Sequence, residues 1–215
     1  MEDKEQPKKQ CWIGVDQSYH STGVAIQFED KDKILFLQFT DGKVKHSDSV
    51  VNCVYKRIWS NTDDFSKDEQ NRVRSSHNLF VAIYHYLKMH CRNYGIWNVA
   101  IEGQVMSGFS SHQKFHLTDL VKLVSILEYN FMRLENVKLN IFPPTSVKKY
   151  FTSDGKAKKE KMIEEFKSRF GDTFDYTGKI DDVIDAYALC EMIAHPENAK
   201  KKVRKSSGRK PRTTK

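Results

Sequence analysis

The chain predicts an α/β layered domain on a mixed sheet of about five strands. Short apolar runs alternate with segments of helical periodicity, in the order three strands, helix, strand, helix, strand, helices. Two of the runs, "CWIGVD" and "NVAIEG", carry an acid at or near their C-terminal end. A mostly apolar stretch near the C-terminus, "KIDDVIDAYALC", opens with three aspartates.

Each element follows from its local pattern. "CWIGVD", 11–16, is a short apolar run, and in "GVAIQF", 23–28, Val24, Ile26 and Phe28 alternate as one buried strand face. The polar "QSYHST" between them predicts a hairpin turn. "KILFLQFT", 33–40, is a third strand, and the polar stretch 40–66 reads as loops around a short central element. Over 67–93, Val73, Leu79, Phe80, Ile83, Tyr84 and Leu87 recur at helical spacing. "NVAIEG", 98–103, is a short buried strand and "SGFSSHQ" a loop. A second helix over 114–134 places Leu117, Leu120, Val121, Val124 and Leu127 on one side. "KLNIF", 138–142, ends at Pro143 and Pro144, and Thr145 is expected to cap the helix that follows. "SDGK" is a turn, "AKKEKMIEEFKSRFG" a helix closed by Gly171, and the last helix ends near His195 and Pro196.

Of 215 residues, 39% are hydrophobic, enough for a core, and the length suggests one domain. The expected division is a flexible leader over 1–10, a folded domain over 11–197 and a disordered basic tail over 198–215. No apolar run is long enough to span a bilayer, and "MEDKEQPKKQ" lacks the apolar stretch of a signal peptide, so a cytoplasmic or nuclear protein is expected. Cys11, Cys53, Cys91 and Cys190 have no zinc spacing and read as reduced core residues. The net charge is +8, yet residues 200–215 hold 9 basic residues and no acid, leaving 27 basic against 28 acidic in the body. The tail is expected to be a nucleic-acid arm held by phosphate electrostatics, and "KKKVRK" also fits a nuclear-import patch.

Asp16 closes the first strand, Glu102 the fourth, and Asp182 and Asp185 lie one turn apart on the last helix. If the first and fourth strands are neighbours, these acids meet. Four carboxylates in one site repel unless cations neutralise them. Hard oxygen ligands suit magnesium, and two such ions can flank a phosphoryl displacement. Each acid alone also has a structural reading: strand-end acids cap turns, and Asp181 and Asp182 suit a helix N-terminus without metal. His112 and His116 share a helix face but have no third zinc ligand, and His20 is expected at the surface. The glycines form no phosphate-binding loop, which disfavours a kinase-like ATPase.

"WIGVDQSYHSTGVAI", "NVAIEGQ" and "DDVIDAYALC" resemble the acidic strands and closing acidic helix of RuvC-type Holliday junction endonucleases, of the ribonuclease H-like superfamily. "VKKYFTSDGKAKKEKM" is similar to the segment between that family's last strand and last helix. The resemblance runs over about residues 11–195. It implies metal ligands at Asp16, Glu102, Asp182 and Asp185, binding two magnesium ions or manganese in their place. Asp181 has no firm counterpart. It implies an active-site lysine at Lys159 and a phosphate-binding one at Lys148, with Lys149, Lys156 and Lys158 as neighbouring DNA contacts and Phe109 stacking on bases. It further implies a homodimer on branched DNA, although "HLTDLVKL" lacks the glycine-rich helix the family often carries there. The extra segments resemble viral or phage branches. The expected activity is resolution of four-way junctions; cleavage of RNA–DNA hybrid or duplex, and junction binding without catalysis, are the alternatives.

Overall fold

The structure is a computed structural model that describes residues 8–40, 47–58, 64–103 and 111–198, with side chains except at 65 and 111–118. The mixed α/β sheet expected from the sequence is present, with six strands. β1 (Gln10–Asp16) and β2 (Ser21–Phe28) form the expected antiparallel hairpin, and β3 (Lys31–Thr40) extends it. The sixth strand, β4 (Val51–Val54), is the short element within the polar stretch, parallel to β3 at the sheet edge. β5 (Ile96–Glu102) lies parallel to β1, and β6 (Val137–Phe142) parallel to β5. The order is β4-β3-β2-β1-β5-β6, with β2 alone reversed. β1 opens at Gln10, one residue inside the expected leader.

The helices are α1 (Phe65–Cys91), α2 (Ser111–Met132), α3 (Pro144–Thr152), α4 (Lys159–Phe170) and α5 (Asp181–Ala194). Asp64 caps α1 by accepting from the Lys67 amide at 3.2 Å. Thr145 does not cap α3. The helix starts two residues earlier than such a cap implies, with Pro143 at the N-cap and Pro144 in its first turn, where a missing N–H costs nothing. α4 starts at Lys159, two residues later than expected, and ends at Gly171, whose φ of +52° suits a glycine. The last turn of the expected "SGFSSHQ" loop is already α2.

The sheet separates two cores. Ile13, Val15, Val24, Ile26, Val99 and Ile101 pack toward α1 and α2. Ala25, Ala100 and the apolar face of α5 pack on the other side with α3 and α4. β2 is thus buried on both faces, where its sequence suggested one. The second face escapes an apolar-alternation reading because its residues are small. A Cβ on Gly14 would lie 1.9 Å from the Ala186 carbonyl oxygen, and one on Gly23 2.0 Å from that of Asp182. Glycine inside a strand marks such close backbone approach. All four cysteines are buried and free. No described helix is long and apolar enough to cross a membrane.

Candidate active site

The site grows from the parallel pairing of β1 and β5. Val15 pairs with Ile101, so Asp16 and Glu102 follow on adjacent strands at the same end of the sheet. Side chains alternate along a strand. Asp16 shares the face of Gly14, and Glu102 that of Ala100, which is the face α5 covers. The contacts at Gly14 and Gly23 seat α5 directly on β1 and β2, bringing its first turns to the same end. Gln17, almost fully buried, braces the two strand ends by donating from Nε2 to the Glu102 carbonyl at 2.7 Å.

The acids share one electrostatic environment. Burial, then the charges of Asp185, Glu102 and Asp182, hold the Asp16 carboxyl well above the usual carboxylate range, with Lys179 opposing. Burial and Asp185 push Glu102 up to about 7, with Lys148 opposing. Burial, with Asp182 and Asp181, pushes Asp185 up to about 6 against Lys148 and Lys159. Burial also raises Asp182, against a Ser21 hydroxyl bond and the Lys179 charge. Clustered buried carboxylates of this kind disfavour ionisation unless a cation joins them.

Two aspartates that are neighbours in sequence face different lysines. Asp181 pairs with Lys159 at 2.5 Å. Lys148, Lys159, Asp181 and Asp185 line a cleft of about 120 Å³ with Met162, Ile163 and Ile184. Asp182 faces Lys179, whose Nζ is 3.1 Å from Oδ2. That oxygen is buried, and Lys179 is the cation that faces it.

The donor set, all carboxylate oxygen, suits a hard divalent cation. The mutual repulsion and the buried Asp182 oxygen without a hydrogen bond fit such a group. Among the described residues no three acid, imidazole or thiol side chains converge on one point. The residues thus fit a cation in kind and charge.

The structure brings Asp16, Glu102, Asp182 and Asp185 within mutual influence, with Lys148 and Lys159 beside them. Lys149, Lys156 and Lys158 are exposed and lie outside the cleft lining. His20 is exposed, its ring nitrogen 2.6 Å from Arg57. Phe109, the side chains of His112 and His116, and the tail lie outside the described residues. Sequence reasoning missed Lys179, Gln17 and the two strand glycines as parts of the site. Only the glycines carried a signal, by interrupting strand patterns.

No family model matches the chain, and no curated protein matches it. Among solved structures it is similar to Thermus thermophilus RuvC, at 14% identity and a TM-score of 0.49 over 89% of this chain and 96% of that one. It is similar to the Holliday junction resolvase of yeast mitochondria, at 16% identity and 0.47 over 90% and 80%. It is also similar to the manganese-soaked terminase nuclease domain of human cytomegalovirus, at 14% and 0.40 over 93% and 90%. The mixed sheet, with β2 alone reversed, has the α/β architecture expected from the sequence.

Proposed function

We propose that the chain is a divalent-metal-dependent, structure-selective endonuclease that resolves four-way or otherwise branched DNA. The observation that carries this is Asp16. Its carboxyl sits at a strand end among three others, and burial and their charge oppose its ionisation. A fold does not retain such repulsion for stability, because clustered buried carboxylates cost free energy; a site for cations accounts for it.

In this reading Asp16 and Glu102 present carboxylates from the strand ends, and Asp182 and Asp185 from the first turns of α5, to hold magnesium or manganese. A divalent cation bound there supplies Lewis-acid stabilisation of charge on the phosphate oxygens. Lys148 offsets charge on both Glu102 and Asp185, which supports a role for its ammonium in neutralising a scissile phosphate. Asp181 anchors Lys159 at the rim of the same cleft and is a positioning residue, not a ligand. Gln17 fixes the backbone of Glu102 against β1. Hydrolysis leaves a 5′-phosphate and a 3′-hydroxyl. A homodimer places two sites across one junction for paired nicks, and the basic tail adds affinity through phosphate contacts.

Labelled four-way junction, linear duplex and RNA–DNA hybrid, each with magnesium and with EDTA, test the substrate class. Paired nicks in the junction alone, lost in EDTA, are expected. Cutting of hybrid or duplex instead keeps the site and replaces the substrate. Tight junction binding without cleavage in magnesium or manganese contradicts the enzyme.

A further inference from the structure

Lys179 is the cation paired with Asp182, and its charge also opposes the upward shift of Asp16. Its Nζ lies 3.1 Å from Asp182 Oδ2, a buried oxygen that no other group bonds. The lysine is anchored at its backbone and loose at its tip. Gln38, almost fully buried on β3, donates from Nε2 to the Lys179 carbonyl at 2.5 Å and to Ser21 Oγ at 2.9 Å. The Lys179 side chain is 40% exposed, against 14% for Asp182. The ammonium can therefore leave the pair without moving the chain, while Asp182 stays in the site.

We infer that Lys179 is an exchangeable counter-ion, holding Asp182 in the metal-free protein and giving way when a divalent cation takes that carboxylate. The inference rests on the proposed metal-dependent reading. An ammonium and a dication cannot share one buried oxygen without strong like-charge repulsion. The exposed ammonium on its flexible four-carbon stem, and not the buried carboxylate, is the partner that yields. The same displacement frees a flexible cation at the mouth of the site, where a substrate phosphate is anionic. Lys179 is on this view a positioning residue for Asp182, and it sets how tightly the site binds metal before substrate arrives.

Manganese binding to the DNA-free, full-length protein, measured by calorimetry, tests this in wild type, K179M, K179R, D182N and the K179M/D182N double variant. K179M should bind manganese roughly threefold to tenfold more tightly, since the competing charge is gone. K179R should stay near wild type. D182N should bind more weakly, and adding K179M to it should change little. Unchanged or weaker binding by K179M, in a protein with wild-type circular dichroism, overturns the exchange. If wild type binds and D182N binds less, that result overturns the exchange alone. If wild type binds no manganese and D182N is indistinguishable from it, the metal-dependent reading falls too.

Discussion

Gly23 on β2 lies so close to the Asp182 carbonyl oxygen that a Cβ would stand 2.0 Å from it. Helix and strand are in backbone contact at Asp182, one of the proposed metal ligands. Gly23→Ala must push the start of α5 off the sheet, and overpacking of this kind costs about 3 kcal/mol or more. For a chain of this size the melting temperature should fall by at least roughly 6 °C. Manganese affinity should fall with it, because Asp182 and Asp185 move. Unchanged melting and metal binding in G23A contradict the packing described.

Removing one site acid should separate stability from activity. Asp185→Asn relieves repulsion on Asp16 and Glu102. In EDTA at pH 8 its melting temperature should exceed that of wild type by roughly 4–8 °C, corresponding to about 2 kcal/mol. Cleavage should fall by about 10²-fold or more, as when a transition-state-stabilising group is lost. Calorimetry in chelator and single-turnover cleavage check the two halves.

The same acids give the metal-free protein a pH signature. Their folded pKa values are raised, to about 7 for Glu102 and about 6 for Asp185, above about 4 in the unfolded chain. Between those limits the folded state binds more protons than the unfolded one, so stability falls as pH rises. In EDTA the melting temperature should decline from pH 5 to pH 8, and magnesium should reverse the decline at pH 8. A flat profile in wild type, matching that of D185N, contradicts the cluster.

Lys148 opposes the upward shift of both Glu102 and Asp185. Lys148→Met should therefore move the acidic limb of the cleavage pH profile to higher pH, besides slowing cleavage by about 10²-fold. Slower cleavage with an unmoved limb would leave Lys148 as a phosphate contact only.

Residues 200–215 lie outside the described residues, and their charge alone makes a prediction. Deleting them removes 9 basic residues. Junction affinity should drop and its dependence on salt should flatten, as phosphate contacts and released counterions are lost. Equal affinity and slope in titrations across salt concentrations would remove the arm from the account.

The acid positions were legible because each stands where a pattern stops: Asp16 and Glu102 at strand ends, Asp182 and Asp185 on an otherwise apolar helix. The hairpin followed from the pattern of its two strands, whereas the adjacency of β1 and β5 was only a condition on the acids meeting, which the parallel pairing meets. Three features were harder to read. β4 hid in a polar stretch because it is a four-residue edge strand with three exposed positions. Thr145 was expected as a cap because threonine favours that position, but Pro144 starts the helix earlier. Lys179 looked like one surface lysine among many, since its partnership with Asp182 depends on a helix start no spacing rule fixes. The pairing of Asp181 with Lys159 and of Asp182 with Lys179 was likewise not legible.

The most direct measurement of the central claim is anomalous scattering from manganese-soaked crystals of the full-length protein. A manganese ion coordinated by Asp16 together with Glu102 or Asp185, with Asp182 turned away from Lys179, is the expected result. Crystals that diffract well and show no manganese at these carboxylates, with Lys179 still on Asp182, would contradict the site and the activity built on it.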